Sequence, residues 1–181
     1  MDKASGILVF GLNGSGKTTL GRELSQVMGF KHMDIEDYIF APSKIPYTNS
    51  RTFEECESLM LADIEIYRSF VISSVNLGWS DKIRSMITLA IHLSAPVDVR
   101  MKRMDMREFE KFGNRVLEGG DMYDSSKEFR TFAASRSASA VEEWAKTLEC
   151  PVVCMDGRRD YRDMAVDVVR LYCEVSDNKI K

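Results

Sequence analysis

Gly11-Leu12-Asn13-Gly14-Ser15-Gly16-Lys17-Thr18 follows the short apolar run Ile7-Leu8-Val9-Phe10 and opens a helix-like stretch from Thr18 to Met28. The string fits G-x-x-x-x-G-K-[ST], and its place between a strand and a helix is the context in which that pattern forms a P-loop. Its glycines let backbone amides converge on phosphate oxygens, and the helix that follows points the positive end of its dipole at the same anion. In such a loop Lys17 reaches the β- and γ-phosphates and the Thr18 hydroxyl holds magnesium. Asn13, Gly14, Ser15, Gly16, Lys17, Thr18 and Thr19 are therefore the candidate nucleotide-binding residues, with Lys17 also catalytic.

The bulk of the chain narrows the options. Its 181 residues suit one compact domain, so a nucleotide site must share that domain with any second substrate. Lysine and arginine total 25 against 28 aspartates and glutamates, a formal net charge of −3. No overall field draws it to nucleic acid or an anionic membrane, and a small anionic substrate needs local arginines. No apolar run approaches the roughly 18 residues of a membrane span, and no signal peptide is legible in Met1-Asp2-Lys3. The four cysteines (Cys56, Cys150, Cys154 and Cys173) lack zinc-like pairing and read as reduced thiols of a cytoplasmic protein.

Strand-length apolar runs recur at 6–10, 70–73, 86–93 and 151–155, with a weaker one at 30–33, and longer helix-like segments separate them. This alternation predicts an α/β fold, a parallel sheet covered by helices on both faces. Ser94 and Pro96 read as cap and first turn of a helix that buries Val97, Met101 and Met104. Ala165, Val168, Val169 and Tyr172 mark a last helix with Asp160 as its cap, and 176–181 reads as a disordered tail. Residues 41–50 and 112–126 read as loops, of a length that is often functional.

Several polar groups fall where a crevice is expected. Asp34 and Glu36 lie at the carboxyl end of the second strand, the edge that faces ligand in doubly wound sheets. Asp34 is the candidate for magnesium, and Glu36 for orienting or deprotonating an attacking hydroxyl; Asp37 reads as a helix cap. Arg100, Arg103 and Arg107 share one helix face, and guanidinium groups of this kind stabilise charge in phosphoryl transfer. Arg115, Arg130 and Arg136 are further candidates. Tyr47, Arg51, Glu54 and Glu55 lie where an acceptor would bind, although an ordinary helix start with Thr52 as cap explains the last two equally well. Ser73-Ser74-Val75-Asn76 reads as a turn, and His32 and His92 as structural. Gly157, in the turn 156–159, is placed to pass an adenine base.

From Gly11 to Ile39 the stretch GLNGSGKTTLGRELSQVMGFKHMDIEDYI resembles the opening of shikimate kinase and its gluconate-kinase and adenylate-kinase relatives. Arg103 and Arg107 are similar to the R-x-x-x-R that leads into that group's mobile lid, where one arginine flanks adenine and the other meets phosphate. Arg136 falls where the group has an arginine after the lid. The resemblance implies a three-layer P-loop NTPase fold, strand order 2-3-1-4-5, a single domain over 1–181 and a lid near 112–126 closing over ATP. Two departures concern the acceptor half: Ser74-Val75-Asn76 stands where shikimate kinases carry Gly-Gly-Gly, and Glu36 where they carry Asp. The Asp-Gly-Phe-Pro-Arg segment of adenylate kinases is absent.

The expected function is transfer of the γ-phosphoryl group of Mg-ATP to a small-molecule acceptor. Lys17, Glu36, Arg107, Arg115 and Arg136 are the catalytic candidates, Thr18 and Asp34 the metal-binding ones, and Arg103 and Gly157 adjoin the base. The alternative is an ATP-binding regulatory or partner-binding module without efficient transfer. A regulatory GTPase is disfavoured, because no N-K-x-D motif follows.

Overall fold

In the computed structural model, which describes residues 4–43, 47–78 and 80–178, the apolar run before the P-loop is the central strand of the protein. This strand, β1 (Ser5–Phe10), pairs in parallel with β3 (Ser69–Ser74) on one side and β4 (Ile87–Ser94) on the other. Strands β2 (Lys31–Asp34) and β5 (Val152–Asp156) flank them, in the order β2-β3-β1-β4-β5. Ile7 to Phe10 have no exposed surface, as expected of a strand covered on both faces.

Alternate residues of these strands feed two cores, because successive side chains point to opposite faces. Ile7, Val9, Val71, Leu89 and Ile91 pack with Leu20 and Leu24 of α1 (Lys17–Met28) and with Met164, Ala165 and Val168 of α8 (Tyr161–Asn178). Leu8, Phe10, Met33, Ile72 and Ala90 pack on the other face with Met60 and Ile64 of α3 (Phe53–Tyr67) and Val141 of α7 (Ala138–Ala145). Gly21 lets α1 sit close on the sheet: a Cβ there would lie 2.3 Å from Ser73 Oγ and 2.7 Å from His32 Nε2.

Short helices α2 (Ile35–Ile39) and α4 (Asp81–Arg84) follow β2 and precede β4. Between β4 and β5 run α5 (Val97–Phe112), a single 3-10 turn (Gly113–Val116), α6 (Tyr123–Ser135) and then α7. Several details differ from the sequence expectations. Pro96 is the N-cap of α5, outside the helix, and makes no side-chain capping bond; the Ser94 carbonyl instead accepts the Gly157 amide. Helix α5 buries Arg100 and Met104, whereas Val97 is half exposed. The segment 112–126 is not a plain loop, since the 3-10 turn and the start of α6 occupy much of it. The last helix runs through the expected tail as far as Asn178, and 179–181 lie outside the described residues. The loop 41–50 is closed at its base by Phe40 bridging Ser50 and by the Ala41 amide on the Asn49 carbonyl.

Candidate functional site

A crevice of about 1050 Å³ opens at the carboxyl ends of the strands, lined by Gly14, Gly16, Lys17, Thr18 and Thr19 at one end and by Glu36, Tyr47, Arg51 and Lys111 at the other. The phosphate loop forms its floor. Gly11, Gly14 and Gly16 adopt positive φ, and at Gly14 a Cβ would stand 2.4 Å from the Arg100 carbonyl oxygen. The first amides of α1 have no intrahelical partner, and Gly16 at the N-cap offers no side chain to them. Ser15 is fully buried, yet its hydroxyl has no hydrogen-bond partner among the described residues. Lys17 Nζ donates to the Leu12 carbonyl at 3.1 Å, and burial pulls its pKa down to about 8 against the opposing pull of Glu36 and Asp34. Unpaired amides, an unpaired buried hydroxyl and a desolvated ammonium together are what an oligophosphate would satisfy.

Beside the loop, Thr18 Oγ1 donates to Asp34 Oδ2 at 2.8 Å, while Asp34 Oδ1 accepts the Glu36 amide at 3.2 Å. Asp34 is thus both the N-cap of α2 and the partner of the P-loop threonine; Asp37 sits in the first turn of α2 rather than capping it. Glu36 lines the crevice, and burial, reinforced by Asp34, raises its pKa while Arg107 and Lys17 oppose the rise. Among the described residues no three His, Cys, Asp or Glu side chains form a metal cage. Magnesium needs none, because it keeps several waters and takes one or two protein groups plus substrate phosphates.

The arginines divide. Arg103 and Arg107 line the crevice, and Arg103 Nη1 donates to the Ser15 carbonyl at 3.4 Å. Gly157 also lines it, packed so that a Cβ would lie 2.5 Å from the Ser15 carbonyl oxygen. Arg136 Nη1 donates to Asn13 Oδ1 at 3.2 Å. Arg100, on the same helix as Arg103 and Arg107, is buried under the loop and does not join the crevice. Arg115 is not brought to the crevice either. Both oxygens of Asp121 hold its guanidinium within the α5–α6 connection. Arg130 pairs with Asp105 on the surface.

Comparison with known proteins agrees with this geometry. The shikimate kinase family pattern matches residues 13–147 of the chain. The chain belongs to the shikimate kinase family. It is 33% identical over 155 residues to the uncharacterized protein YqaC of Bacillus subtilis (strain 168), an alignment covering 81% of this chain and 85% of that one. Its fold is that of a shikimate kinase from Acinetobacter baumannii solved in complex with shikimate, at a TM-score of 0.56 with 17% identity, covering 98% of this chain and 96% of that one. A gluconokinase from Sinorhizobium meliloti 1021 gives a TM-score of 0.52, again at 17% identity, over 99% and 98% of the two chains.

Ser74-Val75-Asn76, which stands where shikimate kinases carry Gly-Gly-Gly and which reads as a turn, closes on itself: Ser74 Oγ donates to the Asn76 carbonyl and Asn76 Oδ1 accepts the Gly78 amide. Glu55 completes a capping box with Thr52, so it serves α3 rather than a ligand. Arg51 lines the crevice while its Nη1 holds the Tyr38 carbonyl at 2.9 Å, fixing the end of α2. Sequence reasoning missed Lys111 and Phe40. Lys111 donates to the Tyr47 hydroxyl at 2.8 Å and lies over its ring, and Phe40 meets that ring edge-on. The signal for Lys111 was available, since 103, 107 and 111 recur at i+4 along one helix face. Phe40 and Tyr47 meet only through the folding of a loop, which no periodicity announces. The two histidines are structural: His32 bonds Ser73 Oγ at 3.0 Å and His92 stacks on Phe10. None of the four cysteines forms a disulfide, and among the described residues no helix is long and apolar enough to cross a membrane.

Proposed function

We propose that the protein transfers the γ-phosphoryl group of Mg-ATP to a hydroxyl of a small-molecule acceptor. The observation that carries this reading is the continuity of one crevice from the phosphate loop to Glu36, Tyr47, Arg51 and Lys111. Its volume exceeds what the phosphates alone require and suits a nucleotide with a second small ligand. Thr18 and Asp34 are the groups that would hold magnesium, which would supply neutralisation of the phosphate charge.

The chain's own residues then have distinct roles. Amides of Gly14, Gly16 and Thr18 and the Lys17 ammonium hold the phosphates in place. Placing an anion beside Lys17 restores the charge that burial disfavours, so binding energy is drawn from a strained ammonium. Arg107 and Arg136 offer guanidinium groups to the charge that spreads over the transferring oxygens. Glu36, held above the ordinary glutamate range by burial, is suited to take the proton from the acceptor hydroxyl near neutral pH. Arg103 and Gly157 border the base, and the segment near 112–126 serves as the lid. The absence of a triple-glycine turn argues that the acceptor contacts differ from those of a shikimate enzyme. We place the protein in the cytoplasm, with no nucleic-acid partner.

The test is ADP release from Mg-ATP with a panel of nucleoside monophosphates, sugars, sugar acids and shikimate, run beside Lys17→Ala. One acceptor should raise turnover far above basal hydrolysis, and the variant should abolish the rise. Binding of ATP with no acceptor-dependent turnover would overturn the reading in favour of a regulatory nucleotide-binding module.

A further inference from the structure

Asn13 occupies a variable position of the P-loop pattern, so the motif gives it no role, yet two arginines from opposite ends of one helical hairpin converge on it. Arg100, near the start of α5, donates Nη1 to the Asn13 carbonyl at 3.1 Å and to the Ala133 carbonyl of α6 at 3.4 Å. Arg136, the C-cap of α6, donates Nη1 to Asn13 Oδ1. Arg100 is 4% exposed, and its Nε has no partner among the described residues. Burying a guanidinium incompletely satisfied is costly, and an apolar side chain would fill the space more cheaply. What the guanidinium supplies is a fixed peptide plane at Asn13. Gly14 reinforces it from the next position by its close approach to the Arg100 backbone. With its main chain fixed from below, the Asn13 side chain has a defined direction, and that direction leads to Arg136.

Arg136 therefore reaches the phosphate loop in a set orientation. One of its nitrogens engages Asn13 and the Phe132 ring lies 5.4 Å from its centre; no other hydrogen bond of this guanidinium is found among the described residues. A guanidinium has five N–H donors in a rigid fork, so fixing one nitrogen aims the rest. Its hydrogen bond to Asn13 seats it against the phosphate loop, on the side from which its charge is felt by Lys17. Resting on the phosphotransferase reading above, we propose that Asn13 is a positioning residue: seated on Arg100, it aims the Arg136 guanidinium at the transferring phosphoryl group and ties both ends of the α5–α6 hairpin to the phosphate loop.

Two measurements on the protein test this, namely affinity for a fluorescent ATP analogue and the single-turnover rate of Mg-ATP consumption in the presence of the acceptor that the panel identifies. They are made on wild type, Asn13→Ala, Asn13→Gln, Arg136→Gln and the Asn13→Ala/Arg136→Gln double variant. Asn13→Ala should bind the analogue within about three-fold of wild type but turn over about ten-fold more slowly, the signature of an interaction made in the transition state. Asn13→Gln, which keeps the amide oxygen, should recover much of the rate. The double variant should be no slower than Arg136→Gln alone, because the two residues act as one unit. A wild-type rate in Asn13→Ala while Lys17→Ala is inactive overturns the role of Asn13 and leaves the phosphotransferase reading standing. So does a double variant whose loss is the product of the two single losses. A wild-type protein that binds the analogue and never turns over overturns the phosphotransferase reading itself, and this proposal with it.

Discussion

Around the P-loop the crevice is shaped mainly by backbone, with three positive-φ glycines and the uncapped start of α1, joined by one buried lysine. Elsewhere its lining is of side chains from three places, Glu36 on α2, Tyr47 and Arg51 around the 41–50 loop, and Lys111 at the end of α5. The contrast explains why one half carries a motif and the other does not. Backbone geometry demands glycine at fixed spacing, whatever the rest of the chain does. A side-chain pocket can be refurnished one residue at a time, and Ser74-Val75-Asn76, the departure from the family's Gly-Gly-Gly seen in the sequence, closes on itself.

The sharpest way to break this division is at Lys17. Lys17→Ala should lower transfer by roughly a thousand-fold or more, a loss on the scale of removing a preorganised charge from a transition state, measured as acceptor-dependent ADP release. Glu36→Gln should follow, with a loss of about a hundred-fold or more and with ATP affinity nearly unchanged. Its pH profile adds a finer check. Because burial raises the Glu36 pKa, wild-type activity should fall on acidification through a limb lying above the ordinary glutamate value, and the variant should lack that limb.

Lys111→Ala sharpens the comparison from the other side. It should raise the acceptor KM by about ten-fold and leave the KM for ATP within experimental error; an equal effect on both would mean that the two ends are not separable. The smallest effect is expected at Arg115→Ala. It removes an exposed clamp to Asp121 rather than a phosphate contact, so turnover should change by no more than about two- to three-fold.

Stability gives an independent reading of the phosphate end. Burial pulls the Lys17 pKa from its ordinary 10.5 down to about 8 in the folded protein. Between those two values the unfolded chain still holds a proton that the folded chain has released. Wild-type stability should therefore rise with pH through that window, and the cost of burying a charged Lys17 is fully present below it. Lys17→Met should melt a few degrees higher than wild type at pH 7 without nucleotide, an advantage of about 2–6 °C that shrinks as pH rises through the window. Thermal melts at pH 7 and pH 10 decide it.

Much of this was legible beforehand, for identifiable reasons. All five strands fall within a residue or two of the sequence runs, since a sheet buried on both faces needs unbroken apolar stretches. The P-loop, Asp34 and Glu36 were placed by the strand ends that carry them. Helix α5 misled because its buried stripe contains Arg100, and a charged residue is counted as surface until its two carbonyl partners are seen. Arg115 stands outside the crevice here because Asp121, only six residues away, satisfies its guanidinium locally. The contact of Lys111 with Tyr47 lay beyond reach, since it joins segments 64 residues apart.

The most direct test of the central claim is the fate of the γ-phosphoryl group itself. ATP labelled at the γ-position is incubated with magnesium, the protein and the acceptor that the panel identifies, and the products are separated. The account predicts that the label appears in a new phosphomonoester of the acceptor, in wild type and not in Lys17→Ala. Label released only as inorganic phosphate, or left in ATP that is demonstrably bound, would contradict it.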